Sequence, residues 1–110
     1  MHCIYIIYSP SFNKYYIGES IDIIKRLEEH NSKIFSKSST TFTSDWELAI
    51  YFKVADRSEA RIVERYIKSM KSKKFIQKLI LDELFRKTFF KTIHQKFKII
   101  IFHATPGAFT

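Results

Sequence analysis

Four side chains with reactive groups lie within the first thirty residues of the chain: Tyr5, Tyr16, Arg26 and His30. Phenol and imidazole groups can exchange protons, and a guanidinium is a permanent cation whose planar fork binds anionic oxygens. A carboxylate, Glu64, comes from a later segment. We expect the fold to bring these five side chains to one point, where they form an active site.

The two tyrosines lie on predicted strands. Residues 4–8 and 14–18 are rich in β-branched and aromatic side chains, and the Ser-Pro-Ser-Phe-Asn segment between them has the composition of a turn. A short loop between two strands closes an antiparallel hairpin. Side chains alternate between faces, so Tyr16 and Gly18 share one. The sequence leaves the register between the two strands open, because one bulge would shift it.

Two predicted helices carry the remaining candidates. Arg26 and His30 are four residues apart and therefore lie on one face of the first helix. This helix is expected to begin near residue 21, and Ser20 or Asp22 can cap it. The second helix follows Asp56 or Ser58 as its cap. Glu64 lies beside the stripe of this helix that we expect to be buried, which consists of Ala60, Val63, Ile67 and Met70. Ile23, Ile24 and Leu27 form the corresponding stripe of the first helix.

The order of elements predicts an α/β fold. A third strand is expected at residues 46–54 and a last helix at 73–85, with Leu84 on its apolar side. The resulting order is β-β-α-β-α-α, a small three-stranded antiparallel sheet flanked by helices. Residues 1–85 form the expected domain. Residues 86–110 form a basic, aromatic tail of unknown role, with a strand-like run at 97–102 and a frayed end at 105–108.

The charge balance predicts a polyanionic partner. Nineteen Lys and Arg against eleven Asp and Glu give a net charge of +8, and basic side chains that neutralise phosphates release condensed counterions. Nucleic acid is the partner that fits. The lysines that we single out as possible contacts, which equally fit a solvated surface, are Lys33, Lys37, Lys71, Lys73 and Lys74.

Other classes of protein are excluded or not favoured. The single cysteine, Cys3, excludes an internal disulfide and a zinc site built from cysteines. The apolar runs of the chain, such as residues 99–102, are far shorter than a membrane span of roughly 20 residues. The N-terminus lacks the pattern of a signal peptide. We expect a soluble, cytoplasmic protein with no membrane partner.

The motifs resemble those of the GIY-YIG nuclease family, in particular its small, stand-alone, single-domain bacterial members. Cys3-Ile4-Tyr5 stands where the family has Gly-Ile-Tyr, and Tyr16-Ile17-Gly18 repeats the second motif unchanged. The family's helix arginine falls on Arg26, and the histidine one turn later falls on His30. Its metal-binding glutamate falls on Glu64.

The resemblance covers residues 2 to 82 and implies a DNA endonuclease that uses one divalent cation, usually Mg²⁺, in a repair or recombination context. Glu64 would bind the metal, and Arg26 would stabilise charge on the phosphate. Tyr16 is the expected general base, while Tyr5 and His30 position water and phosphate. An ordinary phenol is only about 0.1% ionised at pH 7, so His30 stays an alternative base. Gly18 is expected to have a structural role within the motif.

Two other functions remain open on the sequence. The first is a nucleic-acid-binding module on this fold that does not cut, because Cys3 replaces the first glycine and no asparagine follows Glu64 late in the domain. The second is a protein-interaction domain that uses the aromatic tail.

Overall fold

The computed structural model of the chain describes residues 1–32 and 40–106, the last four of them by their backbone. Lys33 and Lys37, two of the predicted nucleic-acid contacts, lie outside the described residues, as do residues 107–110. The elements in chain order are β1 (His2–Ser9), β2 (Lys14–Ser20), α1 (Ile23–Asn31), β3 (Glu47–Val54), α2 (Arg57–Ser69), α3 (Lys73–Leu81), α4 (Glu83–Phe97) and β4 (His103–Pro106).

The predicted α/β fold is confirmed. Strands β2, β1 and β3 form the expected antiparallel sheet with β1 in its centre, and β4 extends the sheet beyond β3. Strand β2 is therefore an edge strand. Asp22 caps α1 and Asp56 caps α2, each by accepting a hydrogen bond from a backbone N–H in the first turn. Among the described residues, no helix is long and apolar enough to cross a membrane.

Helices cover both faces of the sheet. The side chains of β1 alternate between these faces, so each face buries a different set of them. Ile4 and Ile6 point to the face covered by α2, α3 and α4. Cys3, Tyr5 and Ile7 point to the other face, which α1 covers. The larger core on the first side includes Phe52, Ala60, Val63, Ile67, Leu79, Phe89 and Ile93. Tyr5 thus belongs to the smaller core, under the helix that carries Arg26 and His30.

The hairpin register, open on the sequence, places Tyr5 directly opposite Gly18 and Ile7 opposite Tyr16. Pairing of β1 with β2 is regular through the hairpin, whereas the register of β1 with β3 shifts between Ile6 and Ile7. Both tyrosines and Gly18 therefore lie on the face that α1 covers.

The chain after α2 differs from the prediction. The helix expected at 73–85 is two helices, because the Asp82 side chain caps α4 at the Phe85 N–H, 3.0 Å away. Arg86 Nη1 donates to the Leu79 carbonyl at 2.9 Å and to the Ile80 carbonyl at 2.8 Å, which satisfies the end of α3. Helix α4 continues through residue 85, the predicted end of the domain.

Three smaller expectations were also wrong. The strand predicted at 97–102 is displaced, since Phe97 ends α4 and the strand is β4, which pairs with β3. Residues 105–106 are accordingly part of a strand and not of a frayed end. Ile24 and Leu84 are not packed, being 56% and 75% exposed. The other members of the predicted α1 stripe, Ile23 and Leu27, do pack on the sheet.

Candidate active site

The Tyr5 side chain lies across Gly18 on the neighbouring strand. A Cβ atom built on Gly18 would be 2.6 Å from Tyr5 Cζ and 3.0 Å from Cε1, closer than carbon atoms approach without displacement. Glycine is therefore the residue that leaves room for the phenol ring in this position. The second motif supplies this space through Gly18, and the first supplies the ring through Tyr5. The structural role expected for Gly18 has a physical reason here.

Tyr5 and His30 form a buried hydrogen bond. Tyr5 Oη is 2.9 Å from His30 Nε2, and His30 Nδ1 is 2.9 Å from Thr40 Oγ1. Either neutral tautomer of His30 satisfies both contacts, because the Tyr5 and Thr40 hydroxyls can each donate or accept. Tyr5 and His30 are each only 2% exposed. The hydrogen bond joins β1 to α1, and the threonine fixes the orientation of the imidazole.

Burial keeps both partners uncharged at neutral pH. It raises the pKa of the Tyr5 phenol above its ordinary value, and the neighbouring Tyr16 and Glu64 act in the same direction while Arg26 opposes them. Burial, followed by the charge of Arg26, lowers the pKa of His30 to about 4. Tyr5 consequently keeps its proton at pH 7 and is not a ready base. Electrostatically, Arg26 and Glu64 both act on the Tyr5 phenol.

Tyr16 is the tyrosine that solvent can reach. Its ring centroid is 6.5 Å from that of Tyr5 and 5.1 Å from the His30 ring, and the side chain is only half-buried. A water molecule or a phosphate oxygen can approach Tyr16 from the side of strand β2, whereas Tyr5 is closed off. Of the two tyrosines, Tyr16 has the more suitable position for proton transfer with bound water.

Arg26 lies on α1 one turn before His30, with its side chain 38% exposed. Its Nε is 3.7 Å from Glu29 Oε1, a contact within the same helix. The Arg26 charge helps to lower the pKa of His30 and partly offsets the rise in the pKa of Tyr5. The guanidinium therefore lies near both rings. A partly exposed guanidinium beside a buried neutral pair is suited to receive an anion.

Glu64 approaches the site from α2, the helix on the opposite face of the sheet. Its carboxylate is 17% exposed, and Oε2 is 2.6 Å from Lys68 Nζ one turn further along. The Lys68 ammonium is in turn 5.8 Å from the centre of the Tyr16 ring. Glu64 and Tyr16 therefore share Lys68 as a neighbour near the edge strand β2.

The donor set fits a hard cation with few protein ligands. Glu64 supplies a carboxylate that already holds a cationic group, the Lys68 ammonium. The nearby Glu19 carboxylate is engaged by His2 and by Arg57 Nε at 3.6 Å. Within residues 1–32 and 40–106, no group of three or more His, Cys, Asp or Glu residues could enclose a metal. One carboxylate suits Mg²⁺, which keeps several waters and binds phosphate oxygens.

Two residues at the site were missed by the sequence analysis. Lys68 contacts Glu64 and Tyr16, and its spacing of four from Glu64 was a readable signal. Thr40, which is 1% exposed, orients His30 from the segment between α1 and β3. No local pattern marks Thr40, because its contact with His30 depends on tertiary structure.

The predicted lysines do not form one group. Lys71 is exposed just after α2, and Lys73 is exposed but donates from Nζ to the Asn13 carbonyl at 2.6 Å. Lys74 lines a cavity together with Lys78 and Asp82, and neither Lys71 nor Lys73 lines that cavity. Cys3, which stands at the first position of the first motif, is 6% exposed and packs in the smaller core beside Tyr51.

The comparison with known families is decisive for the class of protein. Residues 1–79 match the family model described as the GIY-YIG catalytic domain, and these residues are most of the 110-residue chain. The chain belongs to the GIY-YIG family. Domains of this family are nucleases that cleave DNA, and they generally use divalent metal ions. No curated protein and no solved structure matches the chain.

The contact between Tyr5 and Gly18 predicts a strong coupling between them. Gly18→Ala should lower the free energy of unfolding by about 1–3 kcal/mol, because the added methyl group collides with the phenol ring. In a Tyr5→Ala background the same change should cost much less. Urea unfolding of the four variants measures this coupling.

The control is a second cycle that combines Gly18→Ala with Tyr8→Ala. Tyr8 lies opposite Tyr15 and not opposite Gly18. The effects of Gly18→Ala and Tyr8→Ala should add. An equal cost of Gly18→Ala in the wild type and in the Tyr5→Ala background would contradict the account of the glycine.

The low pKa of His30 predicts a pH-dependent stability. The folded state, with its His30 pKa of about 4, binds fewer protons than the unfolded state, whose value is near 6.5. The free energy of unfolding should therefore fall as pH decreases between these values, by about 2 kcal/mol from pH 7 to pH 5. Urea titrations at several pH values measure it.

Removing the imidazole isolates its contribution to this slope. His30→Gln should make the dependence between pH 5 and pH 7 markedly flatter, while His94→Gln, at an exposed histidine of α4, should leave it unchanged. Equal slopes in wild type and His30→Gln would show that His30 is not held neutral by the fold.

Proposed function

We propose that this protein is a metal-dependent endonuclease that hydrolyses phosphodiester bonds in DNA, with its active site formed by Tyr5, Tyr16, Arg26, His30 and Glu64. The observation that carries the proposal is the arrangement of these groups around one buried phenol. The Tyr5 hydroxyl is bonded to His30 at 2.9 Å, and its pKa responds to the charges of Arg26 and Glu64.

The charged groups have complementary tasks in this proposal. Arg26 binds the scissile phosphate and stabilises the negative charge that develops on its oxygens. Glu64 would hold the divalent cation, Mg²⁺ in the simplest case, through the carboxylate that the Lys68 ammonium contacts in the structure. When bound, such a cation polarises the phosphoryl oxygens and stabilises the leaving oxygen.

The two tyrosines divide the remaining work. Tyr16, half-buried, takes a proton from the attacking water as its own hydroxyl proton passes by way of a phosphate oxygen to the leaving oxygen, while the water oxygen bonds to phosphorus and the bond to the leaving oxygen breaks. Tyr5 retains its proton because burial raises its pKa, and since it is closed off from solvent it acts indirectly, by holding His30 in place through its hydroxyl. Both ring nitrogens of His30 are engaged in hydrogen bonds, which favours a positioning role for His30 over that of a base.

A second candidate function is a module that binds nucleic acid on this fold without cutting it. It is favoured by the ion pair of Glu64 with Lys68, at 2.6 Å, and by the replacement of the first motif glycine by Cys3. In that case Glu64 is a structural partner of Lys68. Binding without cleavage, insensitive to Glu64→Ala and to chelation of the metal, would favour this function.

Further features of the proposal concern its setting. A cytoplasmic location and a role in DNA repair or recombination stay predictions, as does a separate role for residues 86–110. The structural facts that bear on these residues are that α4 packs against the larger core and that β4 extends the sheet.

The proposal predicts Mg²⁺-dependent cleavage that depends on each of three side chains. Tyr16→Phe, Arg26→Ala and Glu64→Ala should each lower the cleavage rate at least about tenfold, which corresponds to about 1.4 kcal/mol of barrier. A gel assay of the purified protein on single-stranded, duplex and branched DNA, with and without a chelator, measures the rates.

Matched substitutions away from the site provide the controls. Tyr66→Phe changes a tyrosine of α2 that faces α4, and Glu28→Ala changes an exposed glutamate of α1. Neither should alter the rate by more than about twofold. Absence of Mg²⁺-dependent cleavage on every substrate would refute the nuclease proposal.

A further inference from the structure

A groove of about 740 Å³ lies beside the candidate active site, along the edge strand β2. One wall is the hairpin turn with Phe12 and Asn13, and the other is the junction of α2 and α3. The two walls are joined by a hydrogen bond from Lys73 Nζ to the Asn13 carbonyl, 2.6 Å long. The groove is thus bounded by connected parts of the fold.

The floor of the groove is apolar. Ile17 and Ile67 are 5% and 1% exposed and belong to the larger core. Phe12, by contrast, is 51% exposed at the hairpin turn and makes an edge-on contact with Phe42, at 4.9 Å between ring centres. An exposed aromatic ring over an apolar floor provides a flat surface on which another ring can stack.

The rim of the groove is positively charged. Lys14, Lys68 and Lys71 line it in addition to Lys73, and no acidic side chain lines it in the part of the chain that the structure describes. Apolar ligands without charge gain nothing from such a rim. The combination of a stacking surface with several cations is complementary to a nucleotide, which carries a flat base and an anionic phosphate.

The groove continues directly into the candidate site. Tyr16 and Lys68 line it, and the Lys68 ammonium is the group bound to Glu64. Because Tyr16 and Lys68 are common to the groove and the candidate site, a nucleotide next to a phosphate bound at the site can reach the groove. In a duplex that base is paired and stacked, so it cannot enter a concave pocket, whereas an unpaired base can turn out of the strand.

We propose that this groove binds an unpaired nucleotide of the substrate strand, with its base beside Phe12 and its phosphate near Lys71. The inference rests on the proposed nuclease function and adds a substrate class to it: nucleic acid with an unpaired base next to the phosphate that is attacked. Sequence preference is not required, because every base offers a face for stacking.

Fluorescence anisotropy in the presence of a chelator tests the groove without cleavage. The probes contain one labelled DNA strand, either alone, in a full duplex, or in a duplex where one of its bases is unpaired. The wild type should bind the first and third probes more tightly than the second. Phe12→Ala should weaken binding to those two by about tenfold, within the range for loss of one stacking contact, and change duplex binding by less than about twofold.

Three variants complete the design. Phe12→Tyr keeps an aromatic ring and should restore the affinity, and Leu81→Ala, at an apolar residue that is 82% exposed on α3, should change nothing. Lys71→Gln should reduce the slope of log affinity against log salt by about 0.7 for a single strand, the value for one phosphate contact.

The outcomes separate this proposal from the nuclease proposal. If Phe12→Ala selectively weakens binding to unpaired probes but the wild type cuts nothing, the groove stands and the nuclease function fails. If the wild type cuts DNA but Phe12→Ala weakens all three probes equally or none, the groove proposal fails alone. Binding of an extended apolar peptide along β2, with no response to any oligonucleotide, would also overturn it.

Discussion

The close approach of the Tyr5 ring to Gly18 is the contact on which the site depends. A side chain at position 18 would displace the phenol, and with it the hydroxyl that holds His30 at 2.9 Å. That hydrogen bond ties the central strand to α1, the helix that carries Arg26, and two hydrogen bonds between Asn31 and Trp46, at 2.9 and 2.7 Å, hold the same helix. The absence of a Cβ atom at Gly18 is one of the features that permit this arrangement.

The architecture explains why the site lies at the edge of the sheet. Tyr5, Tyr16 and His30 belong to the face under α1, while Glu64 lies on a helix that covers the other face. Side chains from opposite faces can meet only around an edge strand, and β2 is that edge. The same exposed edge leaves room for the groove between the hairpin turn and α3, so site and groove follow from one feature of the topology.

The structure distinguishes residues that look alike in the sequence. Tyr5 and Tyr16 both belong to the family motifs, yet burial keeps the first protonated while the second is only half-buried. Histidine is often a base near neutral pH, but His30 has both nitrogens engaged and a pKa lowered to about 4. The roles that we propose for Tyr5, His30 and Tyr16 differ because the three side chains differ in burial.

Sequence patterns predicted the elements whose signals are local. The hairpin, both capped helices and the α/β class follow from strand composition, turn residues and helical spacing. The end of α3 was missed because the Asp82 cap and the Arg86 contacts interrupt an apolar pattern that continues without a break. Ile24 and Leu84 have apolar side chains but face solvent, since the position of a helix on the sheet is set by its neighbours.

The sequence indicated which residues belong to the candidate site, but it did not indicate how their side chains are arranged. Motif spacing selected Tyr5, Tyr16, Arg26, His30 and Glu64, but the Thr40 contact and the closeness of Tyr5 to Gly18 depend on long-range packing. Lys68 was within reach of an i,i+4 argument from Glu64. The contact of the Lys68 ammonium with this carboxylate could therefore have been predicted from the sequence, although it was missed.

The most direct test of the central claim is a crystal structure of the Tyr16→Phe variant with Mn²⁺ and a short single-stranded oligonucleotide. The account predicts an anomalous peak bonded to the Glu64 carboxylate, with Lys68 displaced from Oε2 and a backbone phosphate between the metal and Arg26. A phosphate bound elsewhere, with no metal at Glu64 and the Lys68 contact intact, would contradict it.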